Sequence, residues 1–154
     1  SRGCGVILMH RLRPPDQDEY SDRYVTPPSY GDVVQVVGEA LSGMKRRAIE
    51  SGVEASRILL DPGLGFGKSV EDNVALIRGT SRLPGPVLSA LSRKSFVGRL
   101  AAPDRETLPG DRLEGTLGTS VAHLVSGARI FRVHDVRAHA DALRGAWACI
   151  PLAD

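Results

Sequence analysis

Apolar residues fall along this chain in two alternating patterns. Residues 6–9, 57–60, 86–91 and 128–133 are apolar almost throughout. Such runs predict parallel strands covered on both faces, since a strand with one wet face would alternate. Between them the spacing turns helical. In 30–51, Val33, Val34, Val37, Ala40, Leu41, Met44 and Ala48 recur every three or four positions, and Gly52 stands where a helix would end. Residues 70–83 carry Val74, Leu76 and Ile77 up to the stop Pro84-Gly85. Residues 114–126 carry Leu117, Val121, Leu124 and Val125 before Gly127, and 138–150 carry Ala142, Leu143, Ala146 and Trp147. Strand followed by helix, four times over, predicts an α/β fold of four βα units with right-handed crossovers. Both an open doubly wound sheet and part of a (β/α)8 barrel satisfy that order.

Each apolar run ends in residues that a core would not select: His10; Asp61; Ser92, Arg93 and Lys94; Arg132, His134 and Asp135. All four sets leave their strands at the same edge, the carboxyl edge where ligands bind in either architecture. The connections agree. Residues 10–29 and 99–112 form long polar, Pro-containing loops on that side, whereas 52–56 and 84–85 are short.

The most distinctive segment is Asp61-Pro62-Gly63-Leu64-Gly65-Phe66-Gly67-Lys68-Ser69. Gly67-Lys68-Ser69 imitates the end of a P-loop, but Pro62 occupies the place of that motif's first glycine, and the third glycine of a dinucleotide fingerprint is missing. Asp61 reads equally as a ligand-binding or a turn carboxylate. Ser92-Arg93-Lys94-Ser95-Phe96 opens a short helix and combines a hydroxyl, a cation and free N–H groups, the makings of an anion site, against the alternative of a solvated basic loop. Arg132 and His134 lie two apart on a strand, so they share a side, where a guanidinium beside an imidazole suits a diphosphate; the alternative is a histidine that satisfies a buried backbone group. His10 caps its strand or meets ligand, Asn73 braces the glycine loop, and His123 and His139 are surface or packing residues. No Ser/His/Asp arrangement and no metal-ligand spacing can be assigned.

Composition narrows the field. The chain has 154 residues, 42% hydrophobic, 25% charged and 5% aromatic, with a formal net charge of +2. That is enough for one core, and scattered charge gives no support for a nucleic-acid or membrane-surface partner. No apolar run approaches the roughly 18 residues of a membrane span. Cys4 and Cys149 are too few for a disulfide framework, which makes a reducing cytoplasm the default. The chain begins at Ser1, just ahead of a strand and without a leader pattern, so residues 1–154 are expected to be a single partial domain of something longer.

Taken together, Leu8-Met9-His10, the stretch 61–68 followed by Asn73, Ser92-Arg93-Lys94-Ser95-Phe96, Gly115-Thr116 and Arg132-Val133-His134-Asp135-Val136 resemble dihydropteroate synthase in order and spacing. The resemblance implies the second half, strands five to eight, of a (β/α)8 TIM barrel. It implies a transferase of folate biosynthesis that condenses 6-hydroxymethyl-7,8-dihydropterin diphosphate with p-aminobenzoate, giving 7,8-dihydropteroate and pyrophosphate. It places Asp61, Lys94, Arg132, Met9 and Phe66 at the pterin, Ser95 and Phe66 at p-aminobenzoate, and Arg132 and His134 at the diphosphate, with catalytic roles for Lys94, Arg132 and His134. It also implies Mg2+ with a protein ligand outside this chain, two small-molecule substrates and a homodimer. The charged loop 11–28 departs from the family's Gly-Thr-Pro continuation, so no role is carried onto it. A corrinoid methyltransferase pterin domain is a second reading, opposed by Ser92-Arg93-Lys94-Ser95-Phe96 and Arg132-Val133-His134. A third is a non-catalytic half-barrel whose strand edges at 6–9 and 128–133 two copies could pair into a ring.

Overall fold

Strands and helices alternate through the computed structural model, which describes residues 3–150. The start at Ser1 and both ends of the expected 1–154 domain lie outside the described residues. The order is β1 (Val6–Met9), α1 (Val33–Glu50), β2 (Ile58–Asp61), α2 (Val70–Arg78), β3 (Leu88–Ser89), α3 (Ser95–Ala101), α4 (Leu113–Val125), β4 (Ile130–Phe131) and α5 (Val136–Cys149), with 3-10 turns between some of them. β1 runs parallel to β2 with Val6 opposite Ile58 and Met9 opposite Asp61. A parallel bridge from Leu60 to Val87 carries the sheet on, and β3 pairs with β4 with Leu88 opposite Ile130. The strands therefore lie in chain order, all parallel, which brings the four polar strand ends to one edge.

The helices begin and end where local chemistry dictates. Asp32 caps α1 by accepting from the amides of Val34 and Gln35, at 3.0 and 3.1 Å. Ser69 and Asp72 form a reciprocal capping box at α2, both bonds 3.0 Å. The predicted faces meet in one core, where Val34, Val37 and Leu41 of α1 pack with Ile58 and Leu60 of β2, Leu76 of α2 and Phe96 of α3. Among the described residues, no helix is long and apolar enough to cross a membrane.

Several expectations need correction. The third and fourth strands shrink to two residues each, although the flanking amides of Arg129 and Arg132 still donate to Val87 and Ser89 carbonyls at 3.3 and 2.8 Å. α2 stops at Arg78, not 83, because Gly79 caps it and the Thr80 hydroxyl occupies the Leu76 and Ile77 carbonyls at 3.1 and 2.8 Å. Of the expected stripe Leu117, Val121, Leu124 and Val125, Leu124 is buried, Leu117 and Val121 are half-buried and Val125 is 63% exposed, and the rest of the buried face is Thr116, Ser120 and His123. Ser89 explains the shift, since its hydroxyl lies 2.9 Å from His123 Nδ1 and draws a polar stripe against β3. β1 is not covered on both faces either. Val6 and Leu8 pack onto the core, whereas Ile7, pointing the other way, is 54% exposed.

Candidate active site

Beyond β2 the chain folds around its own polar groups. Asp61 Oδ1 accepts the Gly63 amide at 2.7 Å, which engages one oxygen of this carboxylate in the turn. Gly63 has φ +68, and a Cβ there would sit 1.9 Å from the His10 carbonyl oxygen, a place only glycine can fill. Asn73 braces the loop by accepting from the Gly65 amide at 2.7 Å. Lys68 is fully buried and points inward, donating to the carbonyls of Gly63 and Phe66 at 3.1 and 2.9 Å. Its ammonium is spent inside the loop and Ser69 is spent as a cap, which explains physically why the motif is no P-loop.

His10 sits beside that ammonium, Nδ1 lying 3.1 Å from Lys68 Nζ. Because an ammonium only donates, Nδ1 accepts and the imidazole stays neutral. Burial first, and the Lys68 charge second, lower its pKa to about 4. Burial likewise lowers Lys68 to about 8, against the pull of Asp61. Asp61 is itself raised by burial, with the Gly63 amide and the charges of Lys94, Lys68 and Arg132 opposing the rise.

The end of β3 supplies the central cation. Lys94 stands at the N-cap position of the seven-residue helix α3, and its side chain donates to the Leu64 carbonyl and lies 3.9 Å from the centre of the Phe66 ring. Arg11 lies at 4.5 Å from the same ring centre, so one aromatic ring takes cation–π contacts from two cations. Burial lowers Lys94 to about 8, with Asp61 pulling up and Arg132 and Arg11 pushing down. Ser92 joins this end to the next strand: its hydroxyl accepts the His134 amide at 3.2 Å and lies 3.0 Å from His134 Nδ1.

Phe66, Lys94, Ser95, Arg132 and His134 line one cavity of about 520 Å3. Five of the seven predicted site residues thus meet. Met9 and Asp61 are not on that lining; Asp61 is buried at the strand end and acts on Lys94 and Arg132 through its charge, and Met9 is half-buried opposite it in the sheet. A half-enclosed space with guanidinium, ammonium and imidazole around an aromatic ring suits a flat anionic ligand.

Sequence reasoning passed over the loop 11–28. Asp18 accepts from the Gly67 amide at 3.1 Å and pairs with Arg11 at 3.3 Å, while Asn73 donates to Ser21 at 3.1 Å. These contacts seat the loop on the glycine segment and bring Tyr20 and Arg23 to the cavity. The bonds from Asp18 to Gly67 and from Ser21 to Asn73 cross more than forty positions of sequence, and no motif announces them. Among the described residues, no three His, Cys, Asp or Glu side chains converge as a metal site, so the residues present do not by themselves form one for Mg2+.

Four parallel βα units with a cation-lined cavity at their carboxyl edge define a half-barrel α/β fold, and residues 1–134 match the family described as pterin binding enzyme; the chain belongs to that family. Its relatives are more particular. It is 37% identical over 146 residues to a dihydropteroate synthase of Neisseria meningitidis serogroup B, covering 91% of this chain and 48% of the relative. It is 40% identical over 154 residues to that of Mycobacterium leprae, covering 94% and 52%. Among solved structures, dihydropteroate synthase from Xanthomonas albilineans in complex with 7,8-dihydropteroate matches with a TM-score of 0.80 at 36% identity, covering 96% of this chain and 52% of that one. The Burkholderia cenocepacia dihydropteroate synthase matches with a TM-score of 0.81 at 34% identity, covering 94% and 54%. The chain spans about half the length of the curated relatives it matches.

Proposed function

We propose that this chain carries the p-aminobenzoate and diphosphate side, and part of the pterin side, of a dihydropteroate synthase site. The observation that carries the reading is the meeting of Lys94, Phe66, Arg132 and His134 around one cavity, with the Asp61 carboxylate behind them. In this reaction the C–O bond from the pterin methylene to the diphosphate breaks and its electron pair leaves with the diphosphate. The arylamine nitrogen forms the new C–N bond and sheds a proton. Arg132 and His134 hold the departing charge, a guanidinium fork matching phosphate oxygens. Lys94 and Phe66 hold the ring system, Ser95 the p-aminobenzoate carboxylate, and Asp61 the pterin's guanidine-like edge. With the reactants fixed, orientation supplies much of the acceleration.

The reading extends to residues 1–154 as one partial domain, a cytoplasmic homodimer, and Mg2+ held by a ligand outside this chain. These rest on the family resemblance, and no step is derived through the metal. Calorimetry tests the function. Binding of 6-hydroxymethyl-7,8-dihydropterin diphosphate, weakened by Lys94→Ala and by Arg132→Ala with little loss of stability, is the expected result. Absence of pterin binding overturns it. Equal binding of a pterin lacking the diphosphate transfers the chain to the corrinoid methyltransferase reading.

A further inference from the structure

Arg93 is the one non-glycine among the described residues with a positive φ, +60. Such a bend would cost least as glycine, and an arginine there marks a side chain that is being used. Three parts of the chain converge on it. Its amide donates to Thr116 Oγ1 on α4 at 3.1 Å, and its carbonyl accepts from Arg112 Nη1 at 2.9 Å. Its guanidinium grips Asp135 with both oxygens engaged, Nε to Oδ2 at 3.0 Å and Nη2 to Oδ1 at 2.6 Å. Asp135 is anchored in turn, its carbonyl accepting the His139 amide at 3.0 Å and lying 2.9 Å from His139 Nδ1.

We propose that Arg93 and Asp135 are positioning residues, their ion pair holding the Ser92-Arg93-Lys94 turn in the left-handed bend that carries Lys94 into the cavity and keeps it in register with His134. The proposal rests on the reading of the cavity as a pterin and p-aminobenzoate site. Ser92, immediately before the bend, bonds to His134, and Lys94, immediately after it, meets Phe66. The pair therefore fixes the spacing between groups delivered by β3 and β4. A partly exposed ion pair such as this one adds little to stability in itself. Joined to a strained backbone and two further hydrogen bonds, it selects one geometry of the turn.

The test compares Asp135→Ala, Arg93→Ala and Arg93→Gly in the full chain, following Lys94 by NMR titration of its side-chain carbons, Lys45 and Lys68 being the other lysines. In the parent, burial pushes the Lys94 ammonium down to about 8, with the charge of Asp61 opposing and those of Arg132 and Arg11 adding to the shift. Asp135→Ala and Arg93→Ala are expected to move it toward the ordinary value of 10.5 and to weaken pterin diphosphate binding by about tenfold. Arg93→Gly, free to adopt the bend, recovers most of both. A folded Asp135→Ala with Lys94 titration and affinity unchanged overturns the proposal. Where Asp135→Ala does not fold, Asp135→Asn provides the same comparison. If the parent binds no pterin diphosphate, the functional reading falls, while the titration still decides the role of the pair.

Discussion

Lys68 reaches back to within 3.1 Å of His10 across the inside of the glycine loop, joining the ends of β1 and β2 through side chains as the sheet joins them through backbone. Lys68→Met keeps the apolar stem but takes the ammonium from the Phe66 carbonyl and from the Gly63 carbonyl, which keeps only the Phe66 amide at 3.1 Å. The expected loss is about 3 kcal/mol of unfolding free energy, read from the urea midpoint.

Gly63 and Gly65 separate backbone fit from ligand geometry. A Cβ on Gly63 meets backbone at 1.9 Å, so Gly63→Ala should cost more than about 4 kcal/mol or prevent folding. A Cβ on Gly65 meets only the flexible Lys94 side chain, at 2.7 Å, and Gly65 has φ +80. Gly65→Ala should cost about 1 to 2 kcal/mol and push Lys94 aside. Thermal melts and pterin diphosphate calorimetry on both variants check the contrast.

Acid should loosen the fold through two buried imidazoles. His10 and His123 take protons near 6.5 when unfolded but only near 4 when folded, burial being the main cause in each. Their contribution is present above 6.5 and is lost as pH falls toward 4, at up to about 1.4 kcal/mol per pH unit for each group. Asp61, raised by burial, works in the opposite sense. The histidine contribution is therefore read as the difference between the parent and His123→Gln in urea titrations at pH 7 and pH 4.5, roughly bracketing that window. Equal pH slopes for the two proteins would refute it.

On the alkaline side the buried lysines continue the rise, and the tyrosines then reverse it. Lys68 and Lys94 hold pKa values of about 8 folded against 10.5 unfolded, so the unfolded chain binds more protons between those values and stability rises with pH. Tyr24 and Tyr30, raised to about 12 by burial, turn the trend downward above their ordinary 10.0. A stability maximum near pH 10 is expected in urea titrations; a monotonic fall from pH 8, at the foot of the lysine window, would contradict it.

Ser120 carries a buried hydroxyl without a hydrogen-bond partner, facing the packed side of α4. Ser120→Ala removes that group and should stabilise the protein by about 1 kcal/mol, visible as a higher melting temperature.

The sheet and the site were legible in the sequence to different depths. Val6–Met9 appears as foreseen, because a run of four apolar residues pairs along its whole length with β2. Asn73 braces the glycine loop, and Lys94, Ser95, Phe66, Arg132 and His134 do share a cavity, since residues just beyond neighbouring parallel strands must emerge together. What stayed hidden depends on partners remote in sequence. Ser89 turns α4 toward His123 and away from Val125, although apolar spacing favours the stripe through Val125. Arg93 and Asp135 were visible as strand-end polar residues, but their bidentate grip needs a left-handed φ at a non-glycine position, which no pattern of residue types encodes.

The chain-order arrangement of the strands bears on how the molecule assembles. Val6 waits for Ile58, Leu60 for Val87, and Leu88 for Ile130, so every strand closes onto the next one synthesised, at the reach of a single βα unit. Loop-closure entropy is met in modest instalments, without one long-range docking event. A growing polypeptide can add each unit to an edge already formed, and Ile7, on the uncovered face of the first strand, stays available to further chain throughout.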